Sequence, residues 1–259
     1  MLLRRDEQGM IAIGQASHAW ISGQMARAWG NPEFGAVEPW EEVCLAAEQH
    51  DTGMAAWDLE PTLNPETGLP HSFIEMPLAT HVELWTAGPR RLISQSRYAA
   101  LLVSMHGARL YERRDLSRLS GADGQLVRDY LKDQRRLQEE LRRQLGEDPK
   151  ARPWTAPERV KRNSDLLWTW DLLSLALCLD WAPHTAKRVP TAGTGSATIE
   201  LTAPAPATMA LEPWPFAAEA VPVHCDGARL SGTYGSQSEL QAALADAPRV
   251  TANFELRRA

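Results

Sequence analysis

Along residues 15–181 the apolar positions recur mainly at helical spacing, whereas beyond Pro190 they alternate or fall in short runs of the kind that form strands. The opening MLLRRDEQGMIAIG predicts an extended or hairpin lead-in. A helix follows from Ala16 or Ser17 to Trp29, stopped by Gly30-Asn31-Pro32. A second starts near Pro39, with Glu41 and Glu42 favourably placed in its first turn, and ends at His50-Asp51. The proline-rich residues 58–77 predict a long loop, of a length more often found facing a substrate than merely connecting elements.

Helical character resumes at Leu78–Thr86 and stops at Gly88-Pro89. Further helices are expected over 91–113, 121–145 and 156–181. The third of these is apolar nearly all round in DLLWTWDLLSLALCLDW, which implies burial at the centre of a bundle. Later segments such as TIELTAPAPATMALEPWPF and PRVTANFELRR read as strands, with Asp226-Gly227 as a hairpin turn and a short helix over 236–245. The expectation is a mainly α protein: a helical domain over 1–188 and a small β-rich C-terminal subdomain over 189–259.

Composition narrows the function classes. The chain has 259 residues, 44% hydrophobic and 23% charged, enough for a substantial core. A net charge of -6 leaves no electrostatic footprint for nucleic acid or an anionic membrane. Cys44, Cys178 and Cys225 are too few and too far apart for a disulfide framework or a cysteine zinc site. The start lacks a signal-peptide core, and the longest apolar run, Leu172–Leu179, is too short to span a bilayer, so a cytoplasmic location is expected. No GxSxG, Walker or GxGxxG pattern occurs, and GTGS at Gly193–Ser196 reads as a linker.

Candidate metal ligands stand out on the expected helices: His18, His50-Asp51, His81, His106 and Asp171. Short loops can bring such positions to one point in a helical core. Asp171 is the most telling, because a lone carboxylate in an apolar helix is costly unless it meets a cation. Arg109, three residues after His106, shares its helical face and is a candidate for binding a substrate anion. Gln15, Gln49 and Tyr98 are candidates for orienting imidazoles. Trp20, Trp57, Trp85, Trp168 and Trp170 flank the ligands as pocket walls or core, and His71 lies in the long loop.

The order His18, His50-Asp51, Asp171 resembles the H…HD…D signature of the HD-domain superfamily over residues 15–180. His81 and His106 resemble the extra ligands of its binuclear subgroup. The whole chain is also similar to an uncharacterised bacterial family. The HD resemblance implies an all-α bundle and a metal-dependent hydrolase, acting on a phosphate ester of a small molecule or nucleotide. Alternatives are a mixed-valent di-iron oxygenase and a non-catalytic metal-binding module. Asp51 would bridge two divalent ions (Fe, Mn, Zn, Co or Ni) and take a catalytic part. One ion would also take His18, His50 and Asp171, and the other His81 and His106. The expected partner is a small anionic substrate, with no nucleic acid or membrane, and oligomerisation is open.

Overall fold

The computed structural model describes residues 1–115 and 118–259. Strands from both ends of the chain meet in one sheet. The hairpin of β1 (Leu2–Asp6) and β2 (Gly9–Ile13) pairs through β2 with β8 (Ala220–Leu230). Beyond β8 lie β9 (Arg249–Arg258), β7 (Thr208–Glu212), β6 (Ser196–Ala205) and β5 (His184–Pro190), giving the order β1-β2-β8-β9-β7-β6-β5. The β7–β9 pair is parallel and the other neighbours are antiparallel. The result is a curled, mixed half-barrel in an α/β fold.

This corrects the expectation of a mainly α bundle with a small C-terminal β subdomain, and with it the all-α HD-domain architecture. Local patterning shows that a run is extended, but not that residues 9–13 will pair with residues more than two hundred positions later. A second correction concerns Asp226-Gly227, which lies inside β8 and makes no hairpin turn. Gly227 is needed because β2 crosses so closely: a Cβ there would sit 2.6 Å from Ile11 Cγ2 and 2.9 Å from the Ala12 carbonyl.

Helices cover the sheet. α1 (Gln15–Ala28) rests on β8, and α7 (Pro157–Leu179) packs against β5, β1 and α1. α2 (Trp40–Gln49) and α5 (Arg97–Glu112) close around α7. As its composition requires, α7 is buried on most sides; Leu166, Leu167 and Leu173 are fully enclosed, each contributing about 1.5–3 kcal/mol. α6 (Gly121–Glu147) lies outside on α4 (Leu78–Leu92) and α5, burying Val127, Tyr130, Leu131, Gln134, Leu141 and Leu145 along one stripe. Shorter elements are α3 (Ala55–Leu59), the ribbon of β3 (Leu63–Asn64) and β4 (Leu69–Pro70), and α8 (Gln237–Asp246).

α4 runs through Gly88-Pro89, where the sequence suggested a stop. Tertiary packing offsets the hydrogen bond that Pro89 cannot donate. Gly88 and Pro89 are buried, and Gly53, in the turn that follows His50-Asp51, is pressed against Gly88. A Cβ on Gly53 would approach the Leu84 carbonyl to 2.6 Å and Gly88 Cα to 3.0 Å. This backbone contact places the end of α2 beside α4.

Candidate metal centre

Four elements deliver five buried side chains to one place. The first turn of α1 carries His18, the C-terminus of α2 carries His50 and Asp51, α5 carries His106, and the middle of α7 carries Asp171. All five are enclosed, from 1% exposure at His18 and His50 to 9% at Asp171. Potential ligand atoms of His18, His50 and Asp51 all lie within 4.8 Å of one another, as do those of His50, His106 and Asp171.

Hydrogen bonding aims the rings of His50 and His18, whereas the indoles of Trp85 and Trp168 hold that of His106. His50 Nδ1 donates to the Ala47 carbonyl at 2.8 Å, so its other nitrogen, Nε2, faces the group. His50 Nε2 lies 3.3 Å from Asp171 Oδ1 and 3.7 Å from Asp51 Oδ2, yet has no aligned hydrogen-bond partner. His18 Nδ1 sits 3.0 Å from Ser174 Oγ, which accepts from Ser22 Oγ at 2.9 Å and donates to the Asp171 carbonyl at 2.9 Å. That relay turns His18 Nε2 toward Asp51 Oδ2, 2.6 Å away. His106 Nε2 points at Asp171 Oδ2 across 3.6 Å, with its ring between Trp85 and Trp168, whose centroids are 5.6 and 5.3 Å away.

The electrostatics suit cation capture. Burial alone would raise both aspartates, but His50 and His18 hold Asp51 below its usual value, and His50 and His106 hold Asp171 at about 2. Burial pulls His50 down, yet Asp51 and Asp171 override it and lift the ring to about 9. Burial leaves His106 at about 4, hence neutral and available as a ligand. A carboxylate pair that draws a proton onto an enclosed imidazole is also a pair that a metal ion can satisfy. Nearby, Asp58 accepts the Gln15 N–H at 2.5 Å, and burial raises its carboxyl to about 6. Gln15 Nε2 reaches Asp51 Oδ2 at 3.4 Å.

His81 lies outside the two ligand groups. Its Nδ1 meets the Tyr111 hydroxyl, and its Nε2 accepts from Trp85 Nε1 at 3.2 Å. It lines the wall of a cavity of about 240 Å³ whose floor is His18, Asp51, His106 and Asp171. Phe73, Ile74, Met76, Leu78, Leu110 and Leu175 make the remaining walls largely apolar. Phe73, Ile74 and Met76 come from the long loop, which therefore does face the site.

Arg109 does not line this cavity: it stacks on Trp168 at 4.4 Å and pairs with Asp165 at 2.8 Å. The cation at the mouth is Arg114, just past α5 and stacked on Tyr111 at 5.0 Å. Helical periodicity gives no signal for a residue beyond a helix end, and Arg114 was missed for that reason. Ser22 and Ser174 were legible as helix-face neighbours of His18 and Asp171, four and three positions away. Gln49, Tyr98 and His71 contact other groups: Glu48, Asn163 and Thr62 respectively. Trp20 is exposed, whereas Trp170 packs on Trp29 in the core.

Fold and site together define an α/β protein with a buried His/Asp group able to bind a metal. The chain belongs to the family described as protein of unknown function (DUF3891), which matches residues 1–232 and stops before α8 and β9. This match replaces the HD-domain resemblance and brings no hydrolase or other activity with it. No curated protein and no solved structure matches the chain. Among the described residues, no helix is long and apolar enough to cross a membrane.

Proposed function

We propose that the chain is a metal-dependent hydrolase whose single ion is held by His18, His50, Asp51, His106 and Asp171, and whose substrate is a small phosphate ester with an apolar leaving group. The observation that carries this reading is His50 Nε2: fully enclosed, without a hydrogen-bond partner, and facing two carboxylates. A bound divalent ion would supply Lewis acidity and a readily ionised water.

One ion fits better than the two expected from the sequence. Both ligand groups share His50, which has only Nε2 free, and His81 has both nitrogens engaged. The di-iron oxygenase alternative loses support for the same reason. The chain's own groups have distinct parts. Ser174 orients His18, Trp85 and Trp168 restrict His106 and exclude water, and Arg114 would hold the anionic group at the mouth. The apolar walls would take the leaving group.

Metal analysis after purification without chelators should find close to one transition-metal ion per chain, and none in His50→Ala. Protein loaded with manganese, zinc, iron or nickel should hydrolyse aryl phosphates, with KM raised about tenfold or more in Arg114→Ala. Absence of any ion overturns the metal reading. An ion that raises Tm in protein without turnover overturns the hydrolase reading and leaves the ion a structural part.

A further inference from the structure

A cavity larger than the metal pocket lies elsewhere. A cleft of about 900 Å³ lies between α7, the C-terminal half of α5, the residues around Gly35, and the β5–β6 connection, and it shares no lining residue with the metal pocket. Its size falls within the range of small-molecule sites. Six cations line it: Arg109, Arg113, Arg159, Lys161, Arg162 and Arg188. The carboxylates there are Glu38, Glu158 and Asp165, so the cleft carries an excess of positive charge in a chain whose net charge is -6.

Partnering leaves some of that charge uncommitted. Arg109 and Lys161 share Asp165, at 2.8 and 2.5 Å. Arg159 lies 3.6 Å from Glu38, and Arg162 donates to the Phe34 carbonyl at 2.7 Å. Arg113 and Arg188 meet no carboxylate among the described residues. Arg113 instead lies 5.2 Å over the Trp168 ring. Burial lowers the Arg109 pKa, Asp165 opposes that, and Arg113 and Arg188 lower it again, which shows how closely these cations crowd.

The floor of the cleft is small and polar. Ala192, Gly193, Thr194, Gly195 and Ser196 bring backbone and hydroxyl groups to it, and the Ala192 N–H donates to the Glu33 carbonyl at 2.7 Å, pinning the loop in place. The GTGS run therefore has a location that its composition did not indicate. Among the described residues, no aromatic side chain lines the cleft. Single-stranded nucleic acid is ordinarily held by stacking its bases on such side chains, so the lining favours a ligand recognised by charge alone. Guanidinium groups match phosphoryl oxygens in pairs, and a walled cleft with an excess of one sign concentrates its field.

The geometry points to a second ligand site: the cleft between α5, α7 and the Thr191–Ser196 loop binds a small molecule bearing two or more phosphoryl groups, with Arg113 and Arg188 as its uncommitted anchors. This stands independently of the metal. Trp168 lines neither cavity but packs behind both, against His106 on one hand and under Arg109 and Arg113 on the other.

Calorimetric titration of the full chain with inorganic tripolyphosphate, in buffer free of divalent ions at about 0.15 M salt, tests it. The expected result is one site per chain with micromolar Kd, and orthophosphate binding at least about tenfold more weakly. Arg113→Gln and Arg188→Gln should each weaken tripolyphosphate about tenfold. Both side chains are exposed, so circular dichroism should show an unchanged fold. His50→Ala should bind as wild type does. Absence of binding at millimolar concentration, or binding that neither arginine variant alters, overturns the site. Loss of binding in His50→Ala instead assigns it to the metal pocket. A single-stranded DNA oligonucleotide that binds more tightly and is lost with the same arginines replaces the small ligand with nucleic acid.

Discussion

The metal pocket and the basic cleft are built on the same two helices and solve opposite problems. In the pocket, carboxylates and imidazoles are enclosed and face one another at fixed positions: His18 meets Asp51, while His50 and His106 face Asp171. In the cleft, the charges are mostly exposed, predominantly positive, and only partly partnered. Enclosed ligands with fixed orientation select by geometry. A wide cationic cleft selects by charge and tolerates variety in shape. The contrast implies different sensitivities: salt screens the cleft across a Debye length of about 8–10 Å but hardly reaches donors out of contact with solvent.

The sharpest way to break the comparison is His50→Ala. It should lower metal affinity by more than roughly 100-fold, beyond the cost of losing a supporting group, and leave tripolyphosphate binding intact. Joint loss of both would mean that pocket and cleft are one site. Next in size is Ser174→Ala, which removes the hydroxyl that aims His18. Equilibrium dialysis should show metal affinity reduced by about 10- to 100-fold with all five ligands retained. Raising salt from about 0.05 to 0.5 M should weaken tripolyphosphate severalfold and leave metal affinity nearly constant. Equal salt responses would contradict the division between enclosed and exposed charge.

Two smaller effects test the scaffold beneath the pocket. A Cβ on Gly107 would lie 2.5 Å from both Trp85 Cε3 and Tyr130 Oη, so Gly107→Ala should cost about 1–3 kcal/mol in denaturant unfolding and displace the neighbouring His106. Asp58→Asn should change the pH profile. Asp58 titrates at about 6 in the folded chain against an ordinary 3.8, so the folded state holds the extra proton. Stability is therefore lost as pH rises from about 4 to 6. The Tm of Asp58→Asn relative to wild type should climb across that window and then level off. A constant difference would show that Asp58 is not buried as described.

The helices and most of the candidate metal-binding residues were legible in the sequence because both depend on local regularity. A carboxylate at Asp171 within an apolar helix, and a His-Asp pair where another helix ends, are conspicuous without any knowledge of packing. The sheet was not legible, since residues 9–13 give no hint of Gly227–Leu230 as partners. His81 illustrates a different limit. Its position on a helix was readable, but Tyr111 and Trp85, which occupy its nitrogens, become neighbours only through tertiary packing. Arg109 was placed correctly on the helix of His106, yet the indole of Trp168 diverts it into the cleft.

The strand order also dictates how the molecule can be assembled. β9 sits between β8 and β7, so the β1-β2-β8 half and the β7-β6-β5 half have no ladder in common without it. During synthesis both halves must wait, each with an open edge, until residues 249–258 emerge to join them. Closing contacts so distant in sequence is slow, and open edges invite pairing with other chains. A chain cut before Arg249 should accumulate as aggregate even though every candidate metal ligand and every lining residue of the cleft is still present.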